Sequence, residues 1–499
     1  MNAIRIDVGR AEPRGPRRAH LHPVAQACAT GTPGLRGGVP AARLARRKAV
    51  LCALAGGLIL ALAPSPRLTG QTAIGAPPRA AVSAGDTAVA PQLTGVPAGD
   101  TAVRMVADEG EGAKYWPRWR GPSGQGLVTG SGYVDTWSST ENVLWKTPVP
   151  GNGNSSPIVW GDRVFLTTAY EGGRRVSVLA YRRSDGRLLW ETAAPQGRTD
   201  SGAHYKNGHA SATASTDGER VYVSFGPRGL FALDFAGKIV WQRDLGPMEA
   251  YHGAAGSPLL YKDRIILYQD QYRNSFIAAF DARTGQQIWR TPRDADTGWG
   301  TAIAVRVAGH DEIIVNGQQE VTAYDPERGR ELWRCSGTTY EVIPTPVVGY
   351  GMVFCSSGRA GPTLAIKPGG SGDVTRTHLT WTSPRGSPFV PSPILYGEQL
   401  YMVNDMASIV TSLDAMSGRA LWQGRLGVAQ REGFSASPVA VDGKVFFTND
   451  DGETFVLRAG PAFQLLHVNR IGEGTLASPA VVDGRWYIRT GRNLYAVGR

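Results

Sequence analysis

The sequence predicts an all-β fold, an eight-bladed β-propeller of four-stranded blades, and three observations support this prediction. A Ser-Pro pair or a close variant recurs about every 45 residues, followed by apolar residues, a turn and a second β-rich run. A frame of a small residue, glycine and tryptophan at positions 1, 7 and 11 recurs in the second half of these units. No convincing helical period occurs anywhere. Four short strands per unit make one propeller blade.

The first 112 residues differ in composition from the rest of the 499-residue chain. Residues 1–48 hold ten basic and two acidic residues, and no Phe, Trp or Tyr occurs before Tyr115. The 15-residue apolar run Ala49–Ala63 follows this basic region, and it is short for a membrane span of ~20 residues. We therefore predict a basic leader with a signal or anchor segment over 1–63. The Ala-, Pro-, Gly- and Thr-rich region 64–112 is predicted to be a disordered tether. Membrane association is expected only through the N-terminal segment, if it stays uncleaved.

Charge and cysteine content limit the possible partners of the folded part. Beyond residue 48 basic and acidic residues are nearly balanced, which argues against a nucleic-acid partner despite the net charge of +11. An export signal implies a periplasmic or envelope-associated protein in an oxidising compartment. There Cys335 and Cys355 could pair, although two cysteines on β-strands are more often simply buried, and the sequence leaves this question open.

Eight first strands are predicted from the Ser-Pro positions. These positions are Ser156-Pro157, Ser211-Ala212, Ser257-Pro258, Thr301-Ala302, Thr345-Pro346, Ser392-Pro393, Ser437-Pro438 and Ser478-Pro479. Proline is tolerated there because the first residue of a strand can lack a ladder donor. The pairs Asp217-Gly218, Asp442-Gly443 and Asp483-Gly484 predict tight type I′ hairpins after these strands.

The tryptophan frame predicts a packing device between blades. Ala279, Gly285 and Trp289 match it best, and a fixed offset from a small residue lets the indole pack against a neighbour of constant shape. The predicted docking tryptophans are Trp145, Trp190, Trp241, Trp289, Trp333, Trp381 and Trp422.

The last unit lacks a fourth strand, because the sequence stops at Arg499, three residues after Ala496. The segment Asn142–Lys146 has the composition of the missing strand. We therefore predict a propeller over 113–499, with a lead-in segment at 113–140. A closing strand near 142–149 would complete the last blade and leave no open sheet edge.

The unit resembles the pyrroloquinoline-quinone-type (quinoprotein) repeat family, and Ala279–Trp289 matches that repeat at every landmark. Trp116–Pro122 also looks like the lead-in of exported bacterial members. The resemblance implies one of two functions, because the family contains quinone-dependent alcohol and sugar dehydrogenases and also a scaffold lipoprotein of the outer-membrane β-barrel assembly machinery. Many alcohol-oxidising members carry a disulfide between adjacent cysteines and a calcium ion bound by acidic and amide side chains. This sequence has no adjacent cysteines and no recognisable set of calcium ligands.

We therefore expect an exported, non-enzymatic scaffold that binds an envelope protein or a small ligand. No cofactor is expected under this hypothesis. The alternative is a quinone-dependent oxidoreductase of the alcohol or sugar dehydrogenase type, which would use pyrroloquinoline quinone with calcium.

One candidate face remains when the loops between blades are compared. The loops that lead from an outer strand to the next inner strand gather on one face around the axis. Histidine and other polar residues concentrate on two such loops and on a neighbouring turn: His204, Lys206, Asn207, His209, His252, Asp270 and Arg273. These residues either form a ligand, metal or partner site or only cap strand ends, and no histidine spacing is diagnostic of zinc.

Overall fold

The computed structural model describes residues 103–199, 202–359, 361–384, 386–428 and 433–499. They form eight sheets arranged as an eight-bladed β-propeller, so the predicted fold class is confirmed. In this described part the only α-helix is Thr375–His378, and no helix is long and apolar enough to cross a membrane. The predicted leader 1–63 and the predicted tether up to residue 102 lie outside the described residues.

Each blade is a meander of four strands whose first strand lies nearest the axis. Blade 1 consists of Ile158–Trp160, Arg163–Tyr170, Arg175–Arg182 and Leu188–Ala193; blade 2 of Ser215–Thr216, Arg220–Ser224, Leu230–Asp234 and Ile239–Arg243; blade 3 of Leu259–Tyr261, Arg264–Gln269, Phe276–Asp281 and Gln287–Pro292; blade 4 of Ile303–Val307, His310–Asn316, Glu320–Tyr324 and Glu331–Ser336. Blade 5 consists of Val347–Gly349, Met352–Ser356, Thr363–Ile366 and Leu379–Ser383; blade 6 of Ile394–Tyr396, Gln399–Asn404, Ile409–Asp414 and Ala420–Arg425; blade 7 of Val439–Val441, Lys444–Thr448, Glu453–Arg458 and Leu465–Arg470; blade 8 of Ala480–Val482, Arg485–Arg489, Asn493–Val497 and Val143–Pro148. Two short strands, Val103–Met105 and Gly372–Asp373, extend blade 4, and 3-10 turns occur at Gly112–Lys114, Glu171–Gly173 and Gly226–Arg228.

Burial follows the position of each strand in its blade. The second and third strands are buried on both faces, because every blade packs between two others. Outermost strands instead alternate exposed and partly buried residues, as in Val143–Pro148. The sequence period changes accordingly, from apolar runs inside to alternation outside.

The aspartate-glycine hairpins follow the prediction in two of three cases. Both residues of Asp442-Gly443 and of Asp483-Gly484 have positive φ, as a type I′ turn requires. In Asp217-Gly218 only the glycine has positive φ, at 92°. The Asp217 carboxylate instead accepts hydrogen bonds from the backbone N–H groups of Glu219 and Arg220, which favours a different turn.

The tryptophan frame sets the register between the third and fourth strands of a blade. Ala279 lies directly opposite Trp289 in the antiparallel ladder, and the register shifts immediately after this pair. The same pairing of a small residue with tryptophan joins Ala180 and Trp190, Ala232 and Trp241, Ala323 and Trp333, Ala365 and Trp381, Ser412 and Trp422, and Ala496 and Trp145. Ala232–Trp241 is one residue shorter and Ala365–Trp381 is six residues longer than Ala279–Trp289. Since the pairing is kept, both differences lie in the connection between the third and fourth strands.

Most docking tryptophans reach the next blade. The Trp289 Nε1 donates to the Pro326 carbonyl at 3.1 Å, and Gly329 of blade 4 lies against the indole face. Equivalent bonds run from Trp145 to Arg183, Trp190 to Phe235, Trp241 to Ala282, Trp381 to Ala415 and Trp422 to Gly460. Each indole thus satisfies its donor while it covers the neighbouring turn.

Two blades depart from this pattern. The Trp333 Nε1 donates to the Glu312 carboxylate at 2.8 Å within its own blade, because the longer connection in blade 5 places Gly372–Asp373 beside it. Blade 7 has His467 where the others have tryptophan, and its Nε2 lies 2.6 Å from the Asp135 carbonyl oxygen. The imidazole therefore takes the polar contact that an indole makes elsewhere.

The fourth strand of blade 8 comes from the N-terminal side of the propeller. Val143–Pro148 pairs antiparallel with Asn493–Val497, and Trp145 lies opposite Ala496. The Gly498 N–H donates to the Asn142 carbonyl at 2.9 Å, so the pairing extends to the end of the strand.

The region 103–112 differs from the predicted tether. Val103–Met105 pairs antiparallel with the inner strand of blade 4, and Met105 is buried. The Asp108 carboxylate accepts a 2.6 Å hydrogen bond from the Arg118 Nε. Val103 and Met105 lie on the same face of this short strand and make it apolar. The average composition of 64–112, on which the prediction rested, does not show this local pattern.

Cys335 and Cys355 are buried free thiols in blades 4 and 5. Burial raises the pKa of Cys335 to about 11 and that of Cys355 well above its usual value. Of the two possibilities that the sequence leaves open, the structure shows simple burial, and burial disfavours the formation of reactive thiolates.

Candidate functional site

A cavity of about 660 Å³ opens around the axis on the face where outer strands lead into the next inner strands. Its volume lies in the range of small-molecule sites. His204, Lys206, Asn207 and His252 line it, so four of the seven predicted face residues come together there.

Eight hydroxyl side chains, one at the start of each blade, form the floor of this cavity. They are Ser156, Thr213, Ser257, Thr301, Thr345, Ser392, Ser437 and Ser478. Seven backbone N–H groups each donate to the hydroxyl of the next blade at 2.8–3.2 Å, including Ser478 N to Ser156 Oγ. The Ser-Pro repeat therefore encodes a ring of hydrogen bonds around the axis. Blade 2 differs from the prediction, because Thr213 occupies the ring position and Ser211 lies two residues before it.

The lead-in segment closes the opposite end of the channel. The Trp119 Nε1 donates to Thr345 Oγ1 at 3.1 Å, which places the indole in the cavity wall. Trp116 pairs with Val159 of blade 1, and Leu127 pairs with Ala440 of blade 7. The segment thus spans several inner strands.

An aromatic cluster forms one wall. The His204 and His252 rings lie 4.7 Å apart between centroids, and His252 lies 4.0 Å from Tyr251. Trp299 packs at 5.4 Å against both Tyr251 and His252. Asn207 fixes the two loops to each other, because its Nδ2 donates to the His252 carbonyl at 2.6 Å.

Glu341 provides the acidic group of this wall. The Tyr251 hydroxyl donates to its Oε1, and the His252 Nε2 lies 3.9 Å from the same oxygen. The Arg359 Nε lies 3.8 Å from Oε2. Burial, followed by the hydrogen bond to Glu341, raises the pKa of Tyr251. Tyr251 therefore stays a protonated donor at neutral pH.

Lys206 joins this loop to the far side of the ring. Its Nζ lies 2.6 Å from Asp450 Oδ2 in blade 7, and both side chains are largely buried. Asp405 of blade 6 is fully buried nearby, where burial raises its pKa to about 6. Burial also raises the pKa of Asp450. The loop that carries Lys206 is thus held in place by a largely buried ion pair with Asp450.

Three predicted residues lie away from the cavity wall. His209 packs on Gly173 of blade 1. Asp270 is fully buried and pairs with Arg293, with the Arg293 Nε 2.7 Å from its Oδ1. Arg273 is largely exposed and lies 3.8 Å from Glu249 Oε2. Asp270 directly follows the strand that ends at Gln269. Its carboxylate forms an ion pair within blade 3 and does not line the central cavity.

The sequence missed several wall residues. Trp119, Trp299, Glu341 and Arg359 come from four separate segments, and none carries a local motif. The position of Trp299 two residues before Thr301 was the available signal, because residues just before each ring hydroxyl approach the axis.

Exposed tyrosines lie on one side of the cavity mouth, where Tyr205 and Tyr251 line the cavity and Tyr272 stacks on Tyr251 at 6.0 Å. Tyr205, Tyr251, Tyr272 and Tyr340 are 44–75% exposed, and all four lie in loops or turns of this face. In the described part of the chain, they are the exposed large aromatic residues. We call these four residues the tyrosine rim.

Among the described residues that line the cavity, Glu341 is the single carboxylate. No cluster of three His, Cys, Asp or Glu side chains able to hold a metal ion occurs among the described residues. Glu341 is engaged by a tyrosine hydroxyl and a guanidinium, and Cys335 and Cys355 lie inside blades.

A family model described as outer membrane protein assembly factor BamB matches residues 117–273, 176–423 and 273–497, well over half of the chain. The outer membrane protein assembly factor BamB of Burkholderia pseudomallei (strain K96243) is 26% identical over 205 residues, which is 38% of this chain. The match spans 47% of that relative, about half of its length.

Solved structures share the fold. BamB from Moraxella catarrhalis aligns with a TM-score of 0.52 at 14% identity, over 72% of this chain and 97% of that chain. Quinohemoprotein alcohol dehydrogenase from Comamonas testosteroni aligns with a TM-score of 0.55 at 14% identity, over 77% and 80%. The predicted family resemblance is confirmed, and these two structures establish the fold alone.

Proposed function

Because this chain belongs to the family of the outer membrane protein assembly factor BamB, we propose that it is an exported, non-enzymatic scaffold that binds envelope proteins during outer-membrane assembly. Under this proposal the tyrosine rim and the cavity mouth form the docking face. The basic region and the apolar run Ala49–Ala63 supply the export signal, and the working compartment is the periplasm or the envelope.

The tyrosine rim is the observation that carries the docking proposal. Tyrosine offers a large contact area at low entropic cost and keeps a polar group for water-exposed interfaces. Large aromatic residues left exposed on one face are typical of a recognition surface. The fixed loops beneath the rim, held by Asn207 and Lys206, reduce the ordering cost of binding.

Site-specific photo-crosslinking tests this proposal. A photoreactive phenylalanine analogue at Tyr205, Tyr272 or Tyr340 should crosslink the full chain to a protein of the host's outer-membrane assembly machinery in intact cells. Matched controls are Leu188 and Ile288, which are 41% and 43% exposed on outer strands. Equal crosslinking from rim and control positions would contradict the docking face.

A quinone titration tests the alternative dehydrogenase. The full chain is mixed with pyrroloquinoline quinone and Ca²⁺, and the quinone absorbance is followed. We expect no stoichiometric spectral change, because the cavity lacks a recognisable calcium donor set among the described residues. A saturable one-to-one change accompanied by alcohol or sugar oxidation would replace the scaffold proposal with an oxidoreductase.

A further inference from the structure

A second cavity of about 260 Å³ lies beside the central one on the same face, and Arg489 lies in its wall. It is bounded by the loop between blades 7 and 8, the turn after Arg489, and Gly153-Asn154 before blade 1. Asn154 and Leu476 line both cavities, so the two adjoin each other.

Arg489 breaks the pattern of its repeat. It ends the second strand of blade 8. In blades 2 to 7 the same strand ends in a neutral polar residue: Ser224, Gln269, Asn316, Ser356, Asn404 and Thr448. Blade construction therefore needs only a polar side chain at this position, and a cation there calls for a separate explanation.

The Arg489 guanidinium is buried without a carboxylate partner. The residue is 2% exposed, and no Asp or Glu among the described residues lies within ion-pair distance. Its Nη1 donates to the carbonyl and hydroxyl oxygens of Ser155 at 3.2 and 2.7 Å, whereas its Nε makes no hydrogen bond. Burial lowers the pKa of Arg489 to about 10. A buried charge without compensation is costly, so a bound anion would stabilise it.

Arg228 provides the contrast. It is also largely buried without an acidic partner, but all three of its guanidinium nitrogens donate to carbonyl oxygens. That arrangement is structural and complete. Arg489 instead has its Nε left without a hydrogen bond, and the residue lies in the wall of a cavity.

A second polar group lines the cavity. Gly153 has no positive φ, yet a Cβ there would lie 2.7 Å from Arg489 Nη2, so glycine lets the backbone pack directly against the guanidinium. On another wall Asp450 Oδ1 is buried and makes no hydrogen bond, while its Oδ2 binds Lys206. Two residues that line the cavity therefore each have a buried polar atom without a hydrogen bond: the donor Nε of Arg489 and the acceptor Oδ1 of Asp450.

We propose that this cavity binds a small carboxylate that also carries a hydrogen-bond donor, such as an amino acid or a hydroxy acid. The carboxylate pairs with the Nε edge of Arg489, since guanidinium and carboxylate match in two parallel hydrogen bonds. The amino or hydroxyl group donates to Asp450. The same chemistry is offered by a free small molecule and by the C-terminal residue of a peptide.

Calorimetric titration of the full chain tests this inference with L-alanine, L-lactate, acetate and L-alaninamide. L-alanine and L-lactate should bind saturably, acetate should bind about ten-fold more weakly, and alaninamide should not bind because it lacks the carboxylate. Absence of saturable binding by alanine and lactate overturns the proposal. Alanylalanine distinguishes the sources, because tighter binding than alanine indicates a peptide terminus and weaker binding indicates a free acid.

Two matched variants assign the binding to Arg489. Arg489→Lys keeps the charge but loses the planar edge, and it should weaken alanine binding at least about ten-fold. Arg228→Lys should leave binding unchanged. Equal affinity in Arg489→Lys, or equal loss in both variants, overturns the assignment. If Arg489→Lys fails to fold, Asp450→Asn should still remove the preference for alanine over acetate, and an unchanged preference counts against the site.

Discussion

At the scale of single residues, Asp405 makes the stability of the folded protein depend on pH. It is fully buried, its Oδ1 accepts the Phe389 N–H at 2.8 Å, and its Oδ2 has no hydrogen bond. Burial raises its pKa from 3.8 to about 6, although Lys206 nearby favours the ionised form. Folding thus favours the protonated carboxyl, so this contribution to stability is complete below about pH 4 and is lost as pH rises through 6.

Asp405→Asn should therefore stabilise the protein at pH 7.5 and change little at pH 4. The expected gain at pH 7.5 is up to about 3 kcal/mol, since each pKa unit corresponds to about 1.4 kcal/mol. Urea unfolding of both proteins at the two pH values measures it. Asp442→Asn in an exposed hairpin serves as control. A gain that is the same at pH 4 and pH 7.5 would contradict the burial argument.

At the scale of structural elements, the docking frame was predictable because it is local. The pairing of Ala279 with Trp289 depends on a turn of fixed length, and sequence spacing encodes it directly. The exception at Trp333 was not predictable, because it depends on where an insertion in the next blade folds back. The ring position of blade 2 was also not predictable. Ser211 and Thr213 both carry a hydroxyl group, and only the folded ring shows that Thr213 accepts the hydrogen bond from Ser156 N.

Gly329→Ala tests whether the glycine of the frame is a packing requirement. Gly329 has φ +68°, and a Cβ there would overlap the Trp289 ring. We expect a loss of at least about 3 kcal/mol, from both backbone strain and displacement of the indole. Gly161→Ala is the matched control, because Gly161 has φ +56° with no atom near its Cβ position. It should cost about 1 kcal/mol. Chemical denaturation measures both, and equal costs would mean that the indole contact adds nothing.

The candidate site was only partly predictable, for a related reason. His204, Lys206, Asn207 and His252 were found because loop position in a propeller is fixed by the repeat. Glu341, Arg359 and Trp119 are brought to the same cavity by closure of the ring and by the path of the lead-in segment. Asp270 was misjudged because its partner, Arg293, is distant in sequence and close only in the folded blade.

At the scale of the whole molecule, the two ends of the channel are unlike. Residues 103–127 pair with inner strands of blades 4, 1 and 7 and close one end, while the tyrosine rim lies on one side of the open end. A ligand therefore enters from the rim face. Val103 pairs with Val307 at the end of that inner strand, on the hairpin side of blade 4.

The fourth strand of blade 8 gives the last prediction, which concerns closure of the ring. Deleting 1–102 should leave the melting temperature unchanged, because the described propeller starts at Val103. Deleting 1–140 removes the segment that closes the channel but keeps Val143–Pro148. Deleting 1–150 also removes this strand, which leaves the edge of Asn493–Val497 unpaired and uncovers the Gly186 turn that Trp145 covers.

At ~0.5–1.5 kcal/mol for each lost hydrogen bond, plus the buried indole surface, the 1–150 deletion should melt well below the 1–140 deletion and aggregate through its open edge. Thermal unfolding with light scattering measures both effects. Equal melting of the two shorter chains would mean that the ring does not depend on the strand from the N-terminal side, and that contacts between blades 8 and 1, such as Ser478 N to Ser156 Oγ, are sufficient to hold it closed.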